Sequence, residues 1–262
     1  MPVNESSLMV GGPVRLRSGE RLVEVDAEGL SYRELNRLLR SLDRKRVEKV
    51  RLINVQGQRY IGAGLLHIRE IELHGTPGND LGCFMNGPAI TVYGNVQDGC
   101  GNTMSGGSII VHGSAGDILG YSMRNGRIFV KGDVGYRAGI HMKEYRSHKP
   151  LIVVGGSAGD FLGEYMAGGL LVLLGLNNLE KHEAKYVGTG MHGGAMYIHG
   201  EVKHMGAEVE KVDLSQEDQT LLKDIIKEFC KHFNLDHEQV AEREYYKVRP
   251  KSTRPYGDLY AY

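Results

Sequence analysis

Ser108-Ile-Ile-Val-His-Gly113-Ser-Ala-Gly-Asp-Ile-Leu-Gly120-Tyr-Ser-Met123-Arg-Asn-Gly126 is one unit of a repeat that runs through the middle of this chain. The stretch before Gly113 is rich in β-branched residues, too short for a helix, and bounded by Gly, Ser, Asp and Asn. That is the chemistry of a strand between turns. The same arrival at glycine recurs at Gly57, Gly75, Gly94, Gly113, Gly132, Gly156, Gly175 and Gly200, in steps of 18, 19, 19, 19, 24, 19 and 25. A second glycine follows seven residues later, at Gly64, Gly82, Gly101, Gly120, Gly139 and Gly163. Three residues further on stands methionine, at Met85, Met104, Met123, Met142 and Met166, with His67 in that place in the first unit. The seventh unit closes on Gly188, Met191 and Gly194 after an inserted loop. A period near twenty marks a solenoid, in which each unit buries its apolar edge only against its neighbours.

Two apolar columns give the units their inner face. Four residues before the repeat glycine stand Ile53, Ile71, Ile90, Ile109, Ile128, Ile152, Leu171 and Met196. Two residues before it stand Val55, Leu73, Val92, Val111, Val130, Val154, Leu173 and Ile198. Alternation with period two puts both columns on one face of a strand. The expectation is an all-β solenoid, a single-stranded parallel β-helix of about seven to eight coils with short α-helical flanking segments. Coils stacked about 4.8 Å apart would make a rod of roughly 35–40 Å. The glycines are expected at corners needing positive φ and where stacked backbones approach too closely for a side chain. No six-residue period points to a left-handed hexapeptide helix, and no helical periodicity points to ankyrin or tetratricopeptide repeats.

The flanks differ from the repeat. Residues 1–50 read as an N-terminal α/β cap, 51–206 as the glycine-repeat β-helix, and 207–262 as a C-terminal helical segment with an extended tail. Ser31-Tyr-Arg-Glu34 is a capping box ahead of Leu35, Leu38, Leu39 and Leu42. Ser215 caps a second helix expected over 216–233, with Leu221, Leu222, Ile225, Ile226, Phe229 and Phe233 as its apolar stripe. Open ends of a β-helix invite edge-to-edge pairing, so both flanks read first as covers. The tail from Tyr245 to Tyr262, rich in Tyr, Pro and basic residues, reads as an extended arm.

Composition bounds the function. The 262 residues are 41% apolar, enough for one large domain. Lys plus Arg equals Asp plus Glu at 32 each, so no global field draws the chain to nucleic acid or acidic lipid. No apolar run reaches membrane-spanning length and no signal peptide opens the chain, which suits a cytoplasmic protein. Cys83, Cys100 and Cys230 are too scattered for a disulfide framework or an iron–sulfur motif.

Catalytic motifs are missing. There is no Walker loop, zincin helix, paired CxxC or nucleophile elbow. The glycines from Gly94 to Gly101 lead into a strand, not the helix N-terminus that a phosphate loop needs. Asp98, Asp117 and Asp160 share a register with Asn79, and each reads as bonding to the backbone of its own turn. The methionine column reads as core filler. His74, His112 and His199 face outward in one column with Tyr93 and Lys131. No catalytic, cofactor-binding or metal-binding residue is assigned.

Three residues before the repeat glycine the side chain points outward, yet five units place Ile110, Phe129, Val153, Val172 and Tyr197 there. Such a stripe is covered by the C-terminal helix or by a partner, a second copy of the chain included. The insertions Lys143 to Lys149 and Leu176 to Val187 are expected to project from coil corners, as solvated loops or docking elements.

Several segments resemble a known family. These are Gly99-Cys-Gly-Asn-Thr-Met104, Gly132-Asp-Val-Gly-Tyr-Arg-Ala-Gly-Ile-His-Met-Lys143, Val154-Gly-Gly, Gly163-Glu-Tyr-Met-Ala-Gly-Gly169, Val172-Leu-Leu-Gly175 and Gly188-Thr-Gly-Met-His-Gly-Gly194. They resemble the GXGXG domain of glutamate synthase, domain 3 of the alpha subunit, in its stand-alone subunit form. The resemblance implies a right-handed β-helix that braces a glutaminase subunit against an FMN-containing synthase subunit, without catalytic residues of its own. FMN and an iron–sulfur cluster are then expected on those partners and none in this chain, which begins Met1-Pro2 without the glutaminase nucleophile. A related glycine-repeat β-helix forms one component of formylmethanofuran dehydrogenase, the alternative reading. A carbohydrate-active β-helix enzyme would need clustered acids and aromatics, and this chain has no Trp and five Phe.

Overall fold

The computed structural model describes residues 14–17, 22–177 and 181–253. In chain order the elements are β1 (Val14–Arg17), β2 (Leu22–Asp26), α1 (Tyr32–Arg44), β3 (Lys49–Gln56), β4 (Glu70–Thr76), β5 (Ala89–Tyr93), β6 (Ser108–Val111), β7 (Arg127–Val130), β8 (Leu151–Val154), β9 (Ala167–Leu173), β10 (Lys181–His182), β11 (Gly193–His199), β12 (Glu201–Val202), β13 (Val209–Val212), α2 (Gln216–Phe233), α3 (His237–Ala241) and β14 (Tyr245–Pro250). Among the described residues one sheet holds twelve strands, ordered β1-β2-β3-β4-β5-β6-β7-β8-β9-β11-β14-β13. Neighbours from β2 to β11 are all parallel. The chain is a mostly parallel β-solenoid of about 8 turns with few short helices.

The apolar columns are the register of this sheet. Ile71, Ile90, Ile109, Ile128, Ile152, Leu171 and Met196 lie opposite one another in successive strands, and so do Leu73, Val92, Val111, Val130, Val154, Leu173 and Ile198. All are buried, with Met85, Met104, Met123, Met142, Met166 and Met191 packed into the same core. The first coil departs from the expected spacing. Val50 and Leu52, not Ile53 and Val55, pair with Ile71 and Leu73, because a bulge between Leu52 and Val55 carries Asn54 at a φ of 56°. His67 does not extend the methionine column either. Its side chain is 39% exposed, and Leu65 and Ile68 fill the core there.

The aspartates serve the stack, not their own turns as expected. Asp98 Oδ1 accepts from the Asp117 N–H at 2.9 Å, and Asp117 Oδ1 from the Tyr136 N–H at 2.8 Å. One column over, Asn95 Oδ1 accepts from the Ser114 N–H at 2.8 Å, Ser114 Oγ from the Asp133 N–H at 3.1 Å, and Asp133 Oδ1 from the Ser157 N–H at 2.7 Å. A parallel stack leaves corner amides without strand partners. A short polar side chain from the preceding coil supplies the missing acceptor. The glycines beside these residues make room: a Cβ on Gly156 would fall on Asp133 Oδ1.

Both ends of the stack are covered. α1 opens on the expected capping box, with the Glu34 N–H donating to Ser31 Oγ at 3.3 Å and the Ser31 N–H to Glu34 Oε2 at 2.9 Å. Its Leu35, Leu39 and Leu42 join the solenoid core. Asp43, in its last turn, accepts N–H bonds from Leu66, His67 and Ile68 and so fastens the helix to the first coil. Burial opposes its ionisation, but these three amides outweigh it and hold the carboxyl below its ordinary pKa. At the other end β14 adds antiparallel to β11 and β13 antiparallel to β14, burying Val209, Tyr246 and Val248. Tyr245–Pro250 is therefore a strand and not part of a free arm; residues 254–262 of that expected arm lie outside the described residues.

α2 spans the expected residues and lies over the outward stripe. Leu222, Ile225, Ile226, Phe229 and Phe233 pack on Ile110, Phe129, Val153, Val172 and Tyr197. Leu221 falls outside this stripe and is 40% exposed, because the spacing 222, 225, 226, 229, 233 defines the buried helical face. The first insertion projects as expected, with a Tyr145–His148 bridge and Lys143, Arg146 and Lys149 exposed. The second does not project over residues 181–187, and residues 178–180 lie outside the described residues. β10 pairs in parallel with β12, and His182, Ala184 and Val187 are buried core positions. From Lys181 to Ala184 exposed and buried residues alternate, so this part of the insertion rebuilds a coil wall.

Candidate interaction surface

Each coil turns through a segment in which alternate residues adopt left-handed backbone. In the coil from Ser108 to Gly126 these are Ile118, Gly120 and Ser122, with φ of 52°, 65° and 53°. The Ile118 and Ser122 N–H groups donate forward to the Tyr136 and Ile140 carbonyls at 2.8 and 2.9 Å. The Gly120 N–H donates backward to the Cys100 carbonyl at 2.7 Å. Successive left-handed positions thus aim their amides up and down the stack in turn, making a second hydrogen-bonded ladder beside the sheet. The middle position faces inward, where a Cβ on Gly120 would strike Ile152 Cδ1, so glycine is required. The outer two positions face outward and can carry a side chain, at a backbone strain of roughly 1–3 kcal/mol each.

The fold requires that geometry in every coil; it does not require what the outer positions carry. Thr103 and Ser122 are small. The following coils place Arg137, His141, Phe161, Tyr165 and Tyr186 there, all at φ between 50° and 64°. Their rings stack from coil to coil. His141 and Tyr165 are nearly parallel with centroids 5.4 Å apart, and Phe161 and Tyr186 stack at 5.0 Å. The Arg137 guanidinium lies 4.7 Å from the Phe161 centroid and donates from Nε to Glu164 Oε2 at 2.9 Å. Tyr121 extends the patch edge-on to His141 at 6.0 Å. Tyr165 and Tyr186 remain 47% and 51% exposed, so this is an ordered aromatic surface open to solvent. Aromatic rings and arginine on rigid backbone are the residue types that anchor protein interfaces. Reading glycines and methionines alone passes over this face. Its signal lies two residues before and two after each second glycine.

The histidine column also acquires an arrangement that spacing did not reveal. His74, Tyr93 and His112 stack at 4.8 and 4.7 Å, and His112 meets Phe233 edge-on at 5.2 Å. Cys100 takes a core position beside Leu81 and Leu119, and burial pushes its thiol up to about 12; burial likewise pushes Cys83 up to about 11. Thiols so raised are poor nucleophiles. Among the described residues no three His, Cys, Asp or Glu side chains gather closely enough to hold a metal ion, and no helix is long and apolar enough to cross a membrane.

The model of the GXGXG motif family matches residues 37–254, from within α1 to just beyond β14. This chain belongs to the GXGXG motif family. It is the family of domain 3 of the glutamate synthase alpha subunit. A relative, the uncharacterized protein MJ1350 of Methanocaldococcus jannaschii, is 44% identical over 254 residues, covering 92% of this chain and 97% of that protein. A chain in the X-ray crystal structure of the formyltransferase/hydrolase complex (FhcABCD) from Methylorubrum extorquens, in complex with methylofuran, is also similar. Its TM-score is 0.61 over 87% of this chain and 91% of that one, at 20% identity. At that identity the likeness is one of fold.

Proposed function

We propose that this GXGXG chain is a non-catalytic structural subunit, the domain-3 component of a split glutamate synthase acting in cytoplasmic glutamate biosynthesis. It would brace a glutaminase subunit against an FMN-containing synthase subunit, with FMN and the iron–sulfur cluster held by those partners. The observation that carries the reading is the stacked surface of His141, Phe161, Tyr165 and Tyr186. Bulky rings occupy strained left-handed positions where smaller residues would fit, and those of Tyr165 and Tyr186 stay half open to solvent. Holding rings there makes physical sense if another surface packs on them. Family membership and the similar fold of a chain within a formyltransferase/hydrolase complex support the assembly role.

A second reading keeps the scaffold role and changes the partners. The likeness to a chain of the formyltransferase/hydrolase complex favours the β-helix component of a formylmethanofuran dehydrogenase-type assembly. Affinity capture of the tagged chain from its native source, with identification of the partners by mass spectrometry, distinguishes the two. The first requires a glutaminase and a flavoprotein, the second a molybdenum or tungsten enzyme.

A further inference from the structure

A cleft of about 380 Å³ opens between α1 and the first coil, away from the aromatic surface. Arg33, Arg37 and Arg40 line it from one side of the helix, with Tyr32 and Tyr60 as its aromatic walls. Asn36, only 7% exposed, ties the walls together, its Nδ2 donating to the Tyr32 carbonyl at 2.8 Å and to the Arg59 carbonyl at 2.7 Å. Tyr60 holds a left-handed φ of 61° and meets Tyr32 edge-on at 6.0 Å. The Arg33 guanidinium lies 5.5 Å from the Tyr32 centroid, and its Nε donates to Tyr32 Oη at 3.1 Å. Both rings and one guanidinium are thus fixed before any ligand arrives.

Positive charge predominates here, with Glu34 as a nearby carboxylate that feels the Arg37 charge. Glu34, on the same stretch, is committed to the helix cap, where Ser31 Oγ and the Ser31 N–H donate to its Oε2 at 2.6 and 2.9 Å. Among the described residues neither Arg37 nor Arg40 forms an ion pair with a carboxylate. Like charges a helical turn apart repel one another, and an anion between them removes that cost. The planar guanidinium fork matches phosphate oxygens two at a time. The cleft also has the volume of a small-molecule site.

We propose that this cleft binds a phosphate-bearing small molecule of at least two negative charges, held by Arg33, Arg37 and Arg40 and flanked by the two tyrosines. The site is independent of the scaffold reading and stands or falls separately from it.

Isothermal titration of the full chain with inorganic pyrophosphate at low ionic strength tests the site. Saturable one-to-one binding is expected, weakened at least about tenfold in Arg37→Gln/Arg40→Gln through loss of two charge-assisted forks. Arg44→Gln/Arg46→Gln removes two exposed charges outside the cleft and should bind as the parent does. Absence of saturable binding in the parent, or equal weakening in both double variants, overturns the proposal; the latter would mark only a diffuse basic surface. If Arg37→Gln/Arg40→Gln fails to fold, Arg37→Lys/Arg40→Lys takes its place. It keeps the charge and loses the forks, so weaker binding is expected and parental affinity contradicts the assigned role.

Discussion

The rings of Phe129 in β7 and Phe229 in α2 meet with centroids 6.5 Å apart, and neither is exposed to solvent. A strand position that points away from the solenoid core is thereby buried by a helix about a hundred residues later. This seam makes α2 part of the fold and not an appendage. Phe229→Ala removes the ring at its centre and should cost about 3–5 kcal/mol, in the range for large-to-small changes in a core. Urea unfolding of the variant checks this, and size exclusion should show self-association through the bared stripe. Parental stability would mean that α2 contributes nothing to the seam.

Within the solenoid, Met123 is buried between neighbouring coils and Gly120 turns the backbone at a φ of 65°. Met123→Asp places an acid without a partner in an apolar column, where it would have to protonate and would still cost about 2–7 kcal/mol as an unbonded polar group. Gly120→Val forces a β-branched side chain into a left-handed position and against Ile152. Both variants should melt well below the parent. Unchanged melting in both would contradict the coil register.

Acid should loosen the fold in two steps. His182 is fully buried with its Nε2 2.7 Å from the His199 carbonyl, and burial lowers its pKa. Burial lowers His112 and His232 as well. A histidine depressed in the folded state takes up protons more readily when unfolded, so its contribution is present above an unfolded pKa of about 6.5 and is lost as pH falls below it. Asp218 behaves in the usual carboxylate sense. Burial disfavours its charge, but bonds from Lys247, Tyr197 and Ser215 prevail and set it at about 2, so its contribution persists until pH drops below about 4. Melting temperature should therefore decline from pH 7 toward pH 5.5, less steeply in His182→Gln. A flat profile in the parent would show that these imidazoles titrate normally.

The two insertions should respond differently to deletion. Removing residues 145–148 takes away exposed side chains and should leave melting nearly unchanged. Removing residues 181–185 takes away β10 and buried His182 and Ala184, and should unfold the last coils. Circular dichroism melts of the two deletions decide it, and equal tolerance would contradict the core assignment of His182 and Ala184.

Much of this fold was legible in the chain because a solenoid repeats its constraints. Ile90, Ile109 and Ile128 occupy one environment, so one reading serves every coil, and the stripe from Ile110 to Tyr197 announced a cover that α2 supplies. Legibility failed where repetition did. The bulge at Asn54 shifted the first coil, and the second insertion carries core residues at its own spacing. The Asp98 and Asp117 carboxylates bond to the following coil, because stacking brings amides 19 residues ahead closer than those of the same turn. The aromatic face was hidden for another reason. Its backbone geometry is common to all coils, and only the identities of His141, Phe161, Tyr165 and Tyr186 distinguish it.

The claim that this chain is a structural subunit of a glutamate synthase is tested most directly by the composition of its native assembly. Capture of the tagged chain from its own source should recover a glutaminase and a flavin-containing synthase subunit in constant proportion. Replacing Tyr165 and Tyr186 by serine should release both while the chain stays folded. Recovery of a molybdenum or tungsten enzyme instead, or of the chain alone, would contradict it.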